Sequence, residues 1–404
     1  MKNALRDSML LPVYVPTMVL AFGTGMLVPI LPLYARSFDI SYALIGVVLA
    51  SQGIGNLIGD IPAGVLLGRL GEKRAMLFGV LLLGLATTAK GFAQSVPELV
   101  IYGFAAGVGN ALWNISRHAY ITSVTQLHQR GRANATFGGI GRIGTFAGPF
   151  VGGVVAASLG LRFPFFVFGA ITLLAFAVSA LFIVEVKSEQ IAHRGGMRGH
   201  SRHLVGLFRT HARILTTAGI GQLCAQMIRS GRTVIIPLYA ADVVGLDVNA
   251  IGLVVTLAAA VDMAMFYPAG LIMDRFGRKY AMVPSFIIQA LGMALIPFTA
   301  TFGGLVAASM IVGFGNGIGS GTMLTLGADL APKESMGEFL GMWRLIGDSG
   351  SSGAPLVVGS IADVVGLSPA TWVIALVGLA AAGILAKMVP ETLRARDPVV
   401  EVKP

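Results

Sequence analysis

The sequence predicts an all-α membrane protein, with twelve transmembrane helices in two pseudo-symmetric six-helix bundles, and three observations carry that prediction. The 404 residues are 55% hydrophobic and only 12% charged, with a mean hydropathy of +0.79. Soluble domains are about a quarter charged, so a membrane solvent is implied and an ordinary soluble fold is excluded. Charge-poor runs long enough to cross the hydrocarbon layer, about 20 residues each, recur twelve times along the chain. Finally, the second half of the chain repeats the first at a nearly constant offset.

The first span, 9–35, lies in an uncharged stretch of 28 residues from Ser8 to Ala35, behind Lys2 and Arg6. A cleaved signal peptide is the competing reading, but its apolar core would be shorter and a small-residue cleavage site would follow, so the segment reads as a retained span. Spans two to six are expected at 42–69, 75–95, 98–123, 133–158 and 163–184. Spans seven to twelve are expected at 213–240, 249–274, 280–299, 304–330, 335–362 and 368–389.

Against this topology, 21 Lys and Arg fall on the side of the termini, 3 (Arg36, Lys90 and Arg162) on the other, and 5 within spans. The positive-inside rule therefore places both termini in the cytoplasm, in an inner-membrane, multi-pass arrangement. The net charge of +10 belongs to this asymmetry. Nucleic-acid binding is not supported, because no basic soluble domain exists to carry it.

One sizeable connection, 186–212, divides a first bundle (1–185) from a second (213–404) that ends in a short cytoplasmic tail. It carries Lys187, Arg194, Arg198, Arg202 and Arg209 against the single acid Glu189. A segment leaning on anionic lipid is the favoured reading. Four histidines, His193, His200, His203 and His211, lack a carboxylate or cysteine to complete a metal shell, so no metal or cofactor is expected. Cys224 is the only cysteine, which excludes an internal disulfide.

The duplication is specific. Ile45-Gly46-Val47 returns as Ile251-Gly252-Leu253, Pro62-Ala63-Gly64 as Pro268-Ala269-Gly270 and Pro149 as Pro355, all at an offset of 206. Pro32-Leu33-Tyr34-Ala35 returns as Pro237-Leu238-Tyr239-Ala240 at 205. Two parallel six-span repeats about an axis along the membrane normal are an architecture of secondary transporters, with the substrate site between the halves.

Between spans 8 and 9 stands Gly270-Leu271-Ile272-Met273-Asp274-Arg275-Phe276-Gly277-Arg278-Lys279, and between spans 2 and 3 its counterpart Gly64-Val65-Leu66-Leu67-Gly68-Arg69-Leu70-Gly71-Glu72-Lys73. The first of these resembles the signature loop of the major facilitator superfamily, G-x-L-x-D-R-x-G-R-K. The second keeps the frame but has Gly68 in the place of the acid. Glycines permit the tight turn, and an acid at a helix end can face the positive N-terminus of a helix from the other half, which would latch the cytoplasmic side. In span 5, Gly148-Pro149-x2-Gly152-Gly153, preceded by Gly144, is similar to an element of proton-driven exporters in that superfamily. Ordinary small-residue packing is the competing reading of the same glycines.

Two features of those exporters are absent. Gly103 occupies the span-4 position of their arginine, four residues ahead of Gly107-Val108-Gly109, and span 1 holds no acid. Proton coupling must then use other residues, and cationic-drug specificity is not supported.

Ionisable groups inside spans are functional candidates by default. They are Asp60, Arg117, Arg142, Arg229, Arg232, Asp262, Arg344 and Asp348. The resemblance implies that spans 2 and 11, and spans 5 and 8, pack across the half interface. At 1.5 Å per residue, Asp60, Arg344 and Arg142 lie roughly 14 Å deep and Asp262 roughly 18 Å. Two interdomain pairs, Asp60 with Arg344 and Asp262 with Arg142, are therefore expected.

Asp60, Asp262 and Asp348 are the proton-coupling candidates, although pairs that only hold the halves together would look the same. Asp348 could also be the i,i+4 partner of Arg344, in the weaker cation-first orientation. Asn110, Trp113, Asn114, Gln222, Gln226 and Asn316 are candidate cavity lining, with helix-packing hydrogen bonds as the alternative. Arg229 and Arg232, in the outer half of span 7, are candidates too and could equally snorkel, bind an anionic group or pair within the protein. Asp329, ahead of Pro332, reads as a helix-end residue.

The resemblance implies a monomeric secondary transporter working by alternating access and using protons, with no catalytic centre. Export of small amphipathic organic compounds is the leading expectation. Import or facilitated passage of an organic anion is the alternative, and a non-transporting receptor a weaker one.

Overall fold

The computed structural model describes residues 10–124, 130–183, 210–332 and 335–393, with side chains at 130–138 left out. The central-loop expectations, including His193, His200 and His203, lie outside the described residues. Twelve helices run through the chain: α1 (Val15–Arg36), α2 (Tyr42–Leu70), α3 (Glu72–Lys90), α4 (Val96–Val124), α5 (Arg130–Leu159) and α6 (Phe163–Phe182). The second set is α7 (Ala212–Asp242), α8 (Val248–Arg275), α9 (Arg278–Leu295), α10 (Phe302–Leu330), α11 (Met336–Val365) and α12 (Leu367–Lys387).

Among the described residues, nine of these are long and apolar enough to cross a membrane by composition alone. The other three are α3, which opens on Glu72-Lys73-Arg74, and α7 and α11, which carry Arg229, Arg232, Arg344 and Asp348. Polarity inside α7 and α11 is tolerable because these charges meet protein partners, as shown below.

The sequence repeat is a structural one. In the first half α1 packs on α5 and α6, α2 on α4, and α3 on α4 and α6. In the second half α7 packs on α11 and α12, α8 on α10, and α9 on α10 and α12. Helix starts repeat too: the Ser41 hydroxyl accepts the Leu44 N–H at the head of α2, and the Asp247 carboxylate accepts the Ala250 N–H at the head of α8. Gly71 and Gly277, again 206 apart, have φ of +77° and +117°, a conformation in which only glycine is unstrained.

Two seams, α2 on α11 and α5 on α8, join the halves. A Cβ on Gly46 would collide with the Pro355 carbonyl, and a Cβ on Gly252 would collide with the Pro149 carbonyl. A Cβ on Gly359 would likewise overlap the Tyr42 carbonyl, and one on Gly153 would press on the backbone of Val248 and Gly252 at 3.1 Å. Small residues thus let backbones touch where van der Waals packing must replace the hydrophobic effect. The other glycines of span 5 serve a different contact, since Gly144, Gly148 and Gly152 lie directly on the α1 backbone from Met18 to Met26.

Two helices are interrupted. The first segment of α8 ends at Ala264, the residue whose carbonyl the Pro268 ring would strike in an unbroken helix. The α10 helix breaks between Ile318 and Thr322, where Gly321 takes φ +76°.

Candidate functional site

Residues from both halves meet at two charge assemblies. In the first, Asp262 on α8 receives Arg142 from α5 at 3.1 Å, Arg232 from α7 at 3.4 Å and the Asn316 side-chain amide from α10 at 2.6 Å. Its side chain is 14% exposed. The Arg142 guanidinium also lies 4.8 Å from the centre of the Phe266 ring, just past the α8 break. The first interdomain pair expected from depth therefore forms, and it has a second cation the sequence did not assign to it.

In the second assembly, Arg344 on α11 is 3.9 Å from Asp60 on α2 and 3.3 Å from Asp348 on its own helix. The cross-half contact exists, but the i,i+4 partner is nearer. The Asp60 Oδ1 atom is buried and has no hydrogen-bond donor among the described residues.

Three chambers of about 360, 350 and 310 Å³ adjoin at the centre of the molecule. Val28 and Thr233 are shared by the first two, Thr24 and Asn110 by the first and third, and Arg142 and Thr145 by the second and third. Of the candidate lining residues, Asn110, Trp113, Asn114, Arg232 and Asn316 reach this space, as do Asp262 and Asp348. Asn110 also donates to Asn56 on α2 at 2.8 Å, and Arg117 donates to Asn114 at 2.7 Å beside the Trp113 ring.

Three members of the candidate lining set have partners on neighbouring helices or on their own, the packing or pairing alternative open to them. Gln222 is buried against Gly347 in the α7–α11 contact, and Gln226 accepts from Arg229 at 3.4 Å. Arg229 turns away to the Gly319 carbonyl at 2.8 Å and the Phe286 ring at 5.4 Å. The break in α10 frees carbonyls at this depth, and Arg229 supplies a donor, which is how non-helical backbone is tolerated away from water.

Lys90 is a group sequence reading missed. Counted there among the outer cations, it is 2% exposed and its ammonium donates to Gln52 at 3.1 Å inside the first chamber. A cation at a helix end ordinarily snorkels outward, so only the packing reveals it.

The two ends of the molecule differ. At the end away from the signature loops, Asp242 at the close of α7 pairs with Arg36 of α1 and accepts the Tyr42 hydroxyl at 2.8 Å. Asp363 of α11 accepts the Tyr42 N–H at 3.2 Å. At the loop end, Gly64, Gly68 and Gly270 have open space where a Cβ would lie, and Asp274 is 79% exposed, with Arg278 beside it at 3.4 Å. Contacts between the halves thus gather at the end away from the signature loops, while the loop glycines have room for a side chain.

The start of α5 near Arg132 and Ala133, which the Asp274 latch would face, has its side chains outside the described residues. Arg278 binds Asp329 at 3.0 Å and the Met273 carbonyl at 3.0 Å, so Asp329 belongs to the loop network. Arg275 lies over the Phe276 ring at 5.6 Å, and Arg69 is exposed. Glu391, beyond α12, accepts the N–H groups of Arg278 and Lys279 at 2.9 and 3.0 Å. That carboxylate caps the N-terminus of α9 next to Gly277, where any Cβ would strike it.

A paired bundle of twelve spans, seams between equivalent helices and charges gathered at the junction define a solute transporter with duplicated halves. The model of the Major Facilitator Superfamily matches residues 15–219 and 218–403, and the chain belongs to that family of transporters; it is not an enzyme. It is 23% identical to an uncharacterized MFS-type transporter of Methanocaldococcus jannaschii over 356 residues, 88% of this chain and 92% of that one. It is 25% identical to the multidrug resistance protein MdtG of Enterobacter lignolyticus over 376 residues, 90% of this chain and 88% of that one. Among solved structures, a D-xylose–proton symporter superposes with a TM-score of 0.75 at 17% identity, covering 94% of this chain and 97% of that one, which speaks to the fold alone.

Proposed function

We propose that this protein is a proton-coupled secondary transporter that exports small amphipathic organic compounds by alternating access. The observation that carries the reading is Asp262, an acid of one half held by Arg142 of the other at the edge of a chamber with largely apolar walls. Protonation removes the charge that holds Arg142 and Arg232, so proton binding favours parting of the α5–α8 seam. Asp60 and Asp348, both set on Arg344, are the further carriers. The bundles 1–185 and 213–404 are the rocking units and 186–212 is the tether. The basic bias of the terminal side supports a bacterial-type inner membrane arrangement with both termini cytoplasmic. The multidrug-resistance relative supports export.

A second reading, uptake or facilitated passage of an organic anion, is favoured by the excess of cations around the chambers. Arg117, Arg142, Arg232 and Lys90 line them against Asp262 and Asp348. In inverted vesicles holding an imposed pH gradient, an exporter accumulates a fluorescent amphipathic probe and releases protons as it does so. Accumulation only in right-side-out vesicles selects the second reading. Binding with no flux in either orientation would overturn both.

A further inference from the structure

The first chamber contains a cation that neither charge assembly uses. Lys90 ends α3 with its ammonium inside the protein, and its sole polar partner among the described residues is the neutral amide oxygen of Gln52 at 3.1 Å. The one acid lining the same chamber, Asp348, is already paired with Arg344 at 3.3 Å. One helical turn before Lys90 stands Thr87, also 2% exposed and also lining the chamber. Its hydroxyl makes no hydrogen bond among the described residues. Residues three apart on a helix share a face, and both Thr87 and Lys90 line the same chamber, so a turn about χ1 of Thr87 is what brings its unpaired hydroxyl beside the ammonium.

An ammonium out of water with only an amide for company is strongly penalised, and an unpaired buried hydroxyl adds to the penalty. A ligand carboxylate relieves both at once, since one oxygen can accept from Lys90 Nζ and the other from Thr87 Oγ1, the former as a charge-assisted bond. Leu27, Leu31, Phe165 and Phe168 give the chamber an apolar wall, with polar side chains such as Asn56, Asn110 and Ser230 elsewhere in its lining. At about 360 Å³ the chamber has the capacity of a small-ligand site.

We propose that Lys90 and Thr87 form an anion subsite that seats the carboxylate of a small amphipathic monoanion, with the apolar body of the ligand against Phe165 and Phe168. This rests on the transporter reading above and names a substrate class for it.

The test is equilibrium binding to purified full-length protein in detergent, with no gradient imposed, so it is independent of direction and coupling. The probes are 2-naphthoate and its neutral counterpart 2-naphthamide, measured by calorimetry. The wild type should bind naphthoate at least about tenfold more tightly than naphthamide, as expected for one added charge-assisted contact. Lys90→Met should erase that preference while keeping naphthamide affinity. Lys90→Arg should retain it, and Thr87→Val should reduce it severalfold.

Equal affinity for both probes, or no binding of naphthoate, by the wild type would overturn the subsite. So would an unchanged preference in Lys90→Met, which would leave Lys90 as a packing residue bonded to Gln52. If Lys90→Met does not purify folded, the Thr87→Val and Lys90→Arg arms decide. Binding that follows the prediction without proton-driven flux would sink the coupling reading and leave the subsite standing.

Discussion

Arg142 and Asp262, 120 positions apart in the chain, meet at 3.1 Å across the α5–α8 seam, one residue from each half. The carboxylate also takes Arg232 and Asn316, so three donors from α5, α7 and α10 converge on a single acid. Asp262→Asn should keep a neutral acceptor for one of these donors but cannot exchange a proton. Transport driven by a pH gradient is expected to fall below a tenth of wild type, with membrane abundance retained and solute-gradient-driven exchange preserved. Full gradient-driven transport in this variant would remove Asp262 from the coupling mechanism.

The Arg344 assembly makes a subtler forecast. Asp60→Arg or Arg344→Asp alone sets like charges against one another in a low-dielectric setting, and abundance should drop severalfold in either. Exchanging the two residues cannot restore full function, because the new acid at 344 would stand one turn from Asp348, whose partner it has replaced. Adding Asp348→Asn to the exchange removes that repulsion. The triple variant should therefore reach the membrane better than the exchanged double, as measured by quantitative immunoblotting of membranes. A double variant equal to wild type would mean that Asp348 does not interact with position 344.

Much of this site was legible because a bilayer makes charge costly. Depth along an apolar helix is readable by counting, and with the packing of spans 5 and 8 that the resemblance implies it pairs Arg142 with Asp262, as the structure does. Where the chain departs from regular helix, counting fails. The Pro62 repeat in α2 leaves that helix continuous while Pro268 coincides with the break in α8, and nothing in the two local sequences separates these outcomes.

For Arg229 the sequence leaves snorkelling, anion binding and pairing within the protein open, and the break in α10 offers it the Gly319 carbonyl. Lys90 has the position of a snorkelling end residue and the environment of a core one. Glu391 lies past the last span, where sequence gives no hint that it folds back onto the head of α9.

The loop network has a pH signature. Burial alone would raise the Glu391 carboxyl, but backbone N–H groups of Leu393, Lys279, Arg278 and Thr392 outweigh it and hold the group below its ordinary range. A depressed folded value means that ionised Glu391 stabilises the fold above the unfolded value, near pH 4, and that this contribution is lost as pH falls through the folded value. Glu391→Gln should lower the melting temperature at pH 7 by a few degrees, with the gap to wild type closing below about pH 4. Melting curves in detergent at pH 7, 5 and 3.5 check this, and a gap that widens on acidification would contradict it.

At the signature loops, the open space around Gly68 accommodates a side chain without strain. Gly68→Asp places an acid in the first-half loop and should raise the population closed at this end, whereas Asp274→Asn should favour the population open at this end. Spin labels at Val124 and Tyr280, exposed on opposite halves, report the separation. Their distance distribution should shorten in Gly68→Asp and lengthen or stay long in Asp274→Asn. Identical distributions in all three proteins would show that the loop acids do not bias the equilibrium.

The opposite end should respond in the reverse sense. Asp242 is the hub there, since it binds Arg36 and accepts the Tyr42 hydroxyl, while Asp363 accepts the Tyr42 N–H. These contacts join α1 and α2 of one half to α7 and α11 of the other, so they must all break for this face to open. Tyr42→Phe removes one hydrogen bond, whose net worth is about 1 kcal/mol, and should change the ratio of the two conformations about fivefold toward opening here. Asp242→Asn also weakens the Arg36 pair and should shift it further. Labels at Asp39 and Val364, both exposed beside the Tyr42–Asp363 contact, should then show a growing long-distance population in the order wild type, Tyr42→Phe, Asp242→Asn. If Tyr42→Phe exceeds Asp242→Asn, the hydroxyl and not the ion pair is the main fastening. If neither moves the distribution, the Gly46–Pro355 and Gly153–Gly252 backbone contacts suffice to hold this face shut.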